Sequence, residues 1–239
     1  IFENSSNGIY AENSSIIGLN YSTLRDNKAS GLNANNYCNI NATSSIFKNN
    51  SGDGFNFTNY STAIINKSLV ENNQGNGISY PSSWEWVSLT ARDNTIRNNS
   101  GYAIYSNSEN QTTIIESNTI QQNGSGLYFR NGTIKSNTIS ENRGIGIKAI
   151  TASAISYNKV YNNYSDGIEA NGSCTINNNL IQSNKGNGIV DNGNSQILNN
   201  DIVGNTLNGI LVNNVSIINY NSIIGNLKYD IEATKQTSE

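Results

Sequence analysis

The sequence predicts an all-β fold: a single-stranded parallel β-helix (β-solenoid) of about eleven coils of 20–26 residues, with three short strands per coil. Three observations predict it. A glycine–isoleucine pair, or a close variant, returns along the whole chain. An apolar-x-x-Asn motif runs in step with it. The apolar residues fall in short β-branched clusters and not at helical spacing.

The pair occurs at Gly8, Gly31, Gly54, Gly77, Ala103, Gly126, Gly146, Gly167, Gly188, Gly209 and Asp230, with spacings of 23, 23, 23, 26, 23, 20, 21, 21, 21 and 21. Its glycine is expected at a corner that needs positive φ or a close backbone approach. Two residues after the isoleucine, small residues such as Ala34, Ala149 and Ala170 fit an inward position, and Phe57, Tyr80 and Phe129 take the same slot elsewhere.

The asparagine motif predicts a stacked ladder formed by Asn27, Asn49, Asn72, Asn99, Asn123, Asn142, Asn163, Asn184, Asn205 and Asn226. From mid-chain a second series runs from Asn94 through Asn118 and Asn137 to Asn221. Stacked amides can donate and accept along such a ladder. A residue present in every coil marks the fold and no single site.

Each apolar cluster is bounded by Asn, Gly or Ser, which suits three strands joined by tight turns. One such coil cannot close a core. Stacked coils can, because each strand pairs in parallel with its copy one coil on. At about 4.8 Å per coil, eleven coils give a rod about 50 Å long.

A single domain over 1–239 is expected, with one irregular insertion near 80–88 that contains the only proline and both tryptophans. The net charge of −3 has no basic stripe, so no nucleic-acid partner is expected. No apolar run is long enough to span a membrane. Cys38 and Cys174 occupy the same slot six coils apart, roughly 29 Å along the stack, whereas a disulfide needs about 4.4–6.8 Å between Cα atoms. Two buried free thiols are expected. The 48 asparagines create fifteen Asn-x-Ser/Thr sequons, with Asn41, Asn56, Asn110, Asn131 and Asn171 as glycosylation candidates.

Units such as Asn118 to Leu127, Asn137 to Ile147 and Asn200 to Ile210 resemble the parallel β-helix repeat of the pectin-lyase-like superfamily, most of all its NosD-type repeats. That resemblance implies a right-handed coil. The superfamily includes polysaccharide lyases, glycoside hydrolases, uronate epimerases, tailspikes and adhesins. Its polygalacturonase-type hydrolases use several aspartates and a histidine, and this chain has no histidine. Its lyases and epimerases use a carboxylate cluster, often with Ca²⁺, beside Arg, Lys or Tyr. The shared-slot acids here, Asp53 with Asp166 and Glu169 with Glu232, lie several coils apart, and Asp191 falls one coil from Glu169. No metal site and no cofactor are expected.

Tyr105, Tyr128, Lys148 and Glu169 share an outward slot in successive coils, a column that could bind a glycan or begin proton abstraction. Trp84, Glu85 and Trp86 in the insertion are candidates for glycan or partner binding. Val190, Leu211, Val203 and Ile224 place apolar residues at outward slots and predict a partner surface. The expected function is an extracellular or cell-surface structural or adhesive solenoid, a filament subunit or a piece of a larger surface protein. Its partners would be copies of itself, other surface proteins or glycans. The alternatives are a polysaccharide lyase or epimerase on acidic glycans and a non-catalytic glycan-binding module.

Overall fold

The computed structural model describes residues 1–81, 86–108 and 111–234. Within them, 31 short strands wind into three parallel sheets. The first sheet holds the strands that start at the glycine–isoleucine pair, from Ile9–Glu12 to Ile231–Ala233. The second runs from Ile16–Asn20 to Ile217–Asn219, and the third from Thr23–Arg25 to Ser222–Ile224. Sheet order repeats every third strand, so each strand pairs with its own copy one coil away. Ten coils carry all three strands and one further strand ends the first sheet, a count slightly below the eleven expected.

Register follows the repeat. Leu127, Ile147, Ile168, Ile189 and Ile210 stack directly over one another in the first sheet. Ile115, Ile134, Ile155, Ile176 and Ile197 do so in the second, and Ile120, Ile139, Val160, Ile181 and Ile202 in the third. All of these side chains are fully buried, so three apolar columns fill one continuous core. Each buried side chain contributes about 1.5–3 kcal/mol. Where the small-residue slot holds Phe57 and Tyr80, the core is aromatic instead. Phe47, Phe55, Phe57 and Tyr80 form a chain of ring contacts with centroids 5.1–5.7 Å apart.

The glycine of the repeated pair serves close approach and not positive φ. A Cβ on Gly31 would lie 2.6 Å from the Gly54 carbonyl oxygen in the next coil. The left-handed corners fall on other residues. Asp26, Asn49, Asn72, Asn98, Gln122, Glu141, Asn162 and Ser183, each just after a third-sheet strand, have φ of 54–57°. A second left-handed column, including Tyr21, Ser117, Tyr157 and Asn199, follows the second-sheet strands.

This corner corrects the expected ladder at two positions. The ladder asparagines there are Asn50 and Asn73, fully or almost fully buried, while Asn49 and Asn72 are the exposed left-handed residues before them. Strand alternation explains it. Phe47 and Val70 point inward, so the asparagine three residues after each of them turns in, and its predecessor turns out. In each coil the amide oxygen accepts from both the backbone N–H and the Nδ2 of the previous ladder residue, as for Asn50 with Asn73 (3.1 and 2.9 Å) and Asn123 with Asn142 (3.0 and 3.1 Å). Another ladder at the corner before the third sheet passes from Ser45 and Ser68 to Asn94, Asn118 and onward to Asn221. These bonds satisfy corner N–H groups that no strand reaches.

Cys38 and Cys174 are both free and buried, each just before a second-sheet strand. Burial pushes the Cys174 thiol up to about 11, and the Asp191 carboxylate adds to the effect.

Candidate functional site

Alternation along the first-sheet strands aims Ile104, Leu127, Ile147 and Ile168 inward, so the residue after each faces out. Parallel pairing then lines up Ser79, Tyr105, Tyr128, Lys148, Glu169, Val190 and Leu211 in one column, one residue per coil. The four residues singled out from the sequence are therefore consecutive neighbours.

Tyr105 and Tyr128 stack with ring centroids 4.7 Å apart and planes 23° apart. Tyr102 closes a triad, with its ring 5.7 Å from each of the other two. Sequence reasoning missed Tyr102 because it lies before the Ala103-Ile104 pair of the one lengthened coil, outside the column's slot. Its strand, Tyr102–Ser106, starts two residues before Ile104, whereas most strands in this sheet start at the apolar residue of the pair, and Tyr102 pairs with Ser125. Polar groups flank the rings. Asn107 Oδ1 accepts from Arg130 Nε at 2.7 Å and from the Tyr128 hydroxyl at 3.4 Å.

Below the rings, Lys148 Nζ pairs with Glu169 Oε1 at 2.9 Å, and Asn171 Nδ2 donates to the same carboxylate at 3.1 Å. Asn171, Asn192 and Asn213 continue as an outward amide line joined at 2.7 and 2.6 Å. Burial raises the phenol pKa of Tyr102, with Lys148 opposing it, and burial beside the other two rings raises that of Tyr105. Both phenols are thus neutral at ordinary pH. Chemically, the column offers ring faces for C–H-rich surfaces and, within a few ångströms, amides and charged groups for hydroxyls.

The other sequence-derived candidates scatter. Trp86 is 71% exposed, while Trp84, Glu85 and Asn110 lie outside the described residues. The expected apolar surface divides into two pairs. Val190 and Leu211 adjoin in the first sheet, and Val203 and Ile224 in the third. Val190 is only 8% exposed, because Glu169 and Leu211 flank it in the column, whereas Val203 and Ile224 are exposed. The shared-slot acids do not converge. Asp53 and Asp166 each accept a backbone N–H from the following coil at 2.6 Å, and Glu232 pairs with Lys228 at 2.8 Å.

Asp191 does not join Glu169. It sits at the inward slot beside Ala170, fully buried, and accepts from Gly193 N, Ser195 N, the Ser195 hydroxyl (2.7 Å) and the Ser216 hydroxyl. Among the described residues, no three His, Cys, Asp or Glu side chains gather as a metal-ligand group. Of the glycosylation candidates, Asn41 and Asn131 are exposed. Asn56 and Asn171 are half-buried, with their Nδ2 atoms donating to Asn33 and Glu169.

No curated protein matches the chain. Its fold is similar to a double mutant of the periplasmic alginate epimerase AlgG, with a TM-score of 0.58, 13% identity, and coverage of 95% of this chain and 78% of that one. It is also similar to the A-module of the Azotobacter vinelandii mannuronan C-5 epimerase AlgE6, with a TM-score of 0.53 and 14% identity over 89% of this chain. The match spans 65% of the AlgE6 module. At such identities the likeness is one of fold. Among the described residues no helix is long and apolar enough to cross a membrane. The family model described as "Right handed beta helix region" matches residues 1–132 and 80–227, so the chain belongs to the right-handed β-helix family.

Proposed function

We propose that the protein is a non-catalytic glycan-binding β-solenoid that serves an adhesive or structural role outside the cytoplasm. The stacked Tyr105–Tyr128 pair carries this reading. Its rings, with Tyr102 beside them, give a rigid aromatic platform held by sheet pairing, so little side-chain entropy is lost on binding. The Asn107–Arg130 pair on one side and the Lys148–Glu169 pair below supply polar groups that fix orientation. The periplasmic setting named for AlgG supports the proposed location.

Affinity measurements on an array of glycans test the reading. Tyr105→Ala and Tyr128→Ala are each expected to weaken the bound glycan by at least about tenfold, which corresponds to about 1.4 kcal/mol. Binding unchanged in both variants would overturn it.

A second reading, lyase or epimerase action on an acidic glycan, draws on Tyr128 and Lys148 being register neighbours. Two features weigh for binding instead. Lys148 is held by Glu169, and the raised Tyr102 and Tyr105 phenols are poor bases at neutral pH. Turnover of uronate polymers to unsaturated or epimerised products would favour the second reading.

A further inference from the structure

Sequons are spread along this chain without regard to burial. Asn123-Gly124-Ser125 and Asn163-Tyr164-Ser165 place the acceptor asparagine in the buried ladder, at 0% exposure. Asn123 Nδ2 donates to Asn142 Oδ1 (3.1 Å), Ile96 O (3.1 Å) and Gln121 O (3.0 Å). Asn163 Nδ2 donates to Asn184 Oδ1 (3.0 Å) and Ile139 O (3.3 Å). N-glycosylation forms a bond from the sugar C1 to this nitrogen. The C1–O bond to the pyrophosphate of a lipid-linked oligosaccharide donor breaks, and one amide proton leaves to a base of the transferring enzyme. In the ladder that proton is one the fold uses, and the attached sugar would stand inside the stack.

Asn41-Ala42-Thr43 is the opposite case. Asn41 is exposed on the second sheet, between Gly18 and Ile64 in register. Among the described residues its Nδ2 finds no hydrogen-bond partner, and its Oδ1 accepts from Thr43 Oγ1 at 3.3 Å. A Cβ built on Gly18 meets nothing within 4 Å, so the surface beside Asn41 is open.

We propose that the fold sorts its sequons: Asn41 is an acceptor whose N-linked oligosaccharide the native solenoid carries, whereas Asn123 and Asn163 are acceptors at which the same modification, made before folding, blocks the native state. The proposal is independent of glycan binding by the tyrosine column.

The test is expression through the secretory pathway of an N-glycosylating host. Secreted, folded protein is separated from retained protein, and site occupancy is mapped in both by mass spectrometry. Folded molecules should carry glycan at Asn41 and none at Asn123 or Asn163, and the retained fraction should be enriched in glycan at those two. The double variant Ser125→Ala, Ser165→Ala removes both sequons and keeps the ladder amides. It should raise the folded yield several-fold. If that variant fails to fold in a non-glycosylating cytoplasm, the wild type treated with an inhibitor of donor synthesis replaces it, with the same rise expected. A folded molecule bearing glycan at Asn123 or Asn163 overturns the proposal. So does a folded fraction without glycan at Asn41, or a yield that does not rise.

Discussion

Asn163 Nδ2 lies 3.0 Å from Asn184 Oδ1, and the Asn163 backbone N–H reaches the same oxygen at 3.1 Å. One side-chain oxygen therefore holds two donors of the preceding coil, and the unit repeats up the solenoid. The remaining Asn163 amide proton goes to the Ile139 carbonyl, which ties the ladder back to the third sheet.

Removing one rung should be costly. Asn163→Ala takes the acceptor from Asn142, whose N and Nδ2 both donate to it, and leaves Asn184 Oδ1 without its side-chain donor. Stranding such buried groups costs about 1–3 kcal/mol each, so a loss of about 2–4 kcal/mol is expected. Asn49→Gly, at the exposed left-handed corner, should be neutral or slightly stabilising. Urea unfolding midpoints of the two variants check the contrast. Equal losses would place Asn49 back in the ladder.

The glycines should separate in the same way. Gly31→Ala drives a Cβ to 2.6 Å from the Gly54 carbonyl and should destabilise by about 1–3 kcal/mol. At Gly18 nothing lies within 4 Å, and Gly18→Ala should change stability by less than about 0.5 kcal/mol. Thermal melts of the two variants give the comparison.

Alkaline pH should weaken the fold in a defined window. Tyr102 and Tyr105 are raised above 10.0, and Cys174 is raised from 9.0 to about 11. In each case the folded chain keeps a proton that the unfolded chain has already released. Their contribution to stability is intact below pH 9 and is lost as pH rises through 9 to 11 and beyond. Cys174 alone accounts for a loss on the order of 2 kcal/mol by pH 11. Cys174→Ala should flatten the fall in urea midpoint over that range. A midpoint that rises with pH there contradicts the sign.

Both thiols should be silent in the native protein. Cys38 and Cys174 are each 1% exposed, and Cys38 Sγ lies 3.1 Å from the Asn35 carbonyl oxygen. A thiol reagent at pH 8 should titrate neither in buffer and both in strong denaturant. Native labelling of Cys174 would mean that its corner opens.

Much of this structure was legible in the sequence because a stack copies each requirement. A glycine recurs wherever one backbone presses on the next, and the column Tyr105, Tyr128, Lys148 and Glu169 was visible as equal offsets from that glycine. Three features were not. Paired asparagines at 49–50 and 72–73 fit the ladder motif in either frame, and only the inward placement of Phe47 and Val70 chooses between them. Tyr102 occupies the slot before the repeated pair, so reading down the slot of Tyr105 and Tyr128 does not reach it, although its ring packs against both. Asp191 sits in the slot of inward alanines, and a carboxylate there becomes tolerable because the Gly193 and Ser195 backbone N–H groups donate to it and Ser195 and Ser216, in the corners of its own coil and the next, supply hydroxyls.

Register between coils is the claim on which the ladder, the tyrosine column and the sequon sorting all depend. It is tested most directly by a cross-link in a background of Cys38→Ala and Cys174→Ala. Thr119 and Thr138 are register partners on the outer face of the third sheet, and Lys159 lies one coil further on. Thr119→Cys with Thr138→Cys brings two Cα atoms to about 4.8 Å, inside the roughly 4.4–6.8 Å that a disulfide accepts. Thr119→Cys with Lys159→Cys leaves them about 9.6 Å apart. Mild oxidation should close the first pair within one molecule and leave the second open. An open first pair, or a closed second pair, would contradict the register.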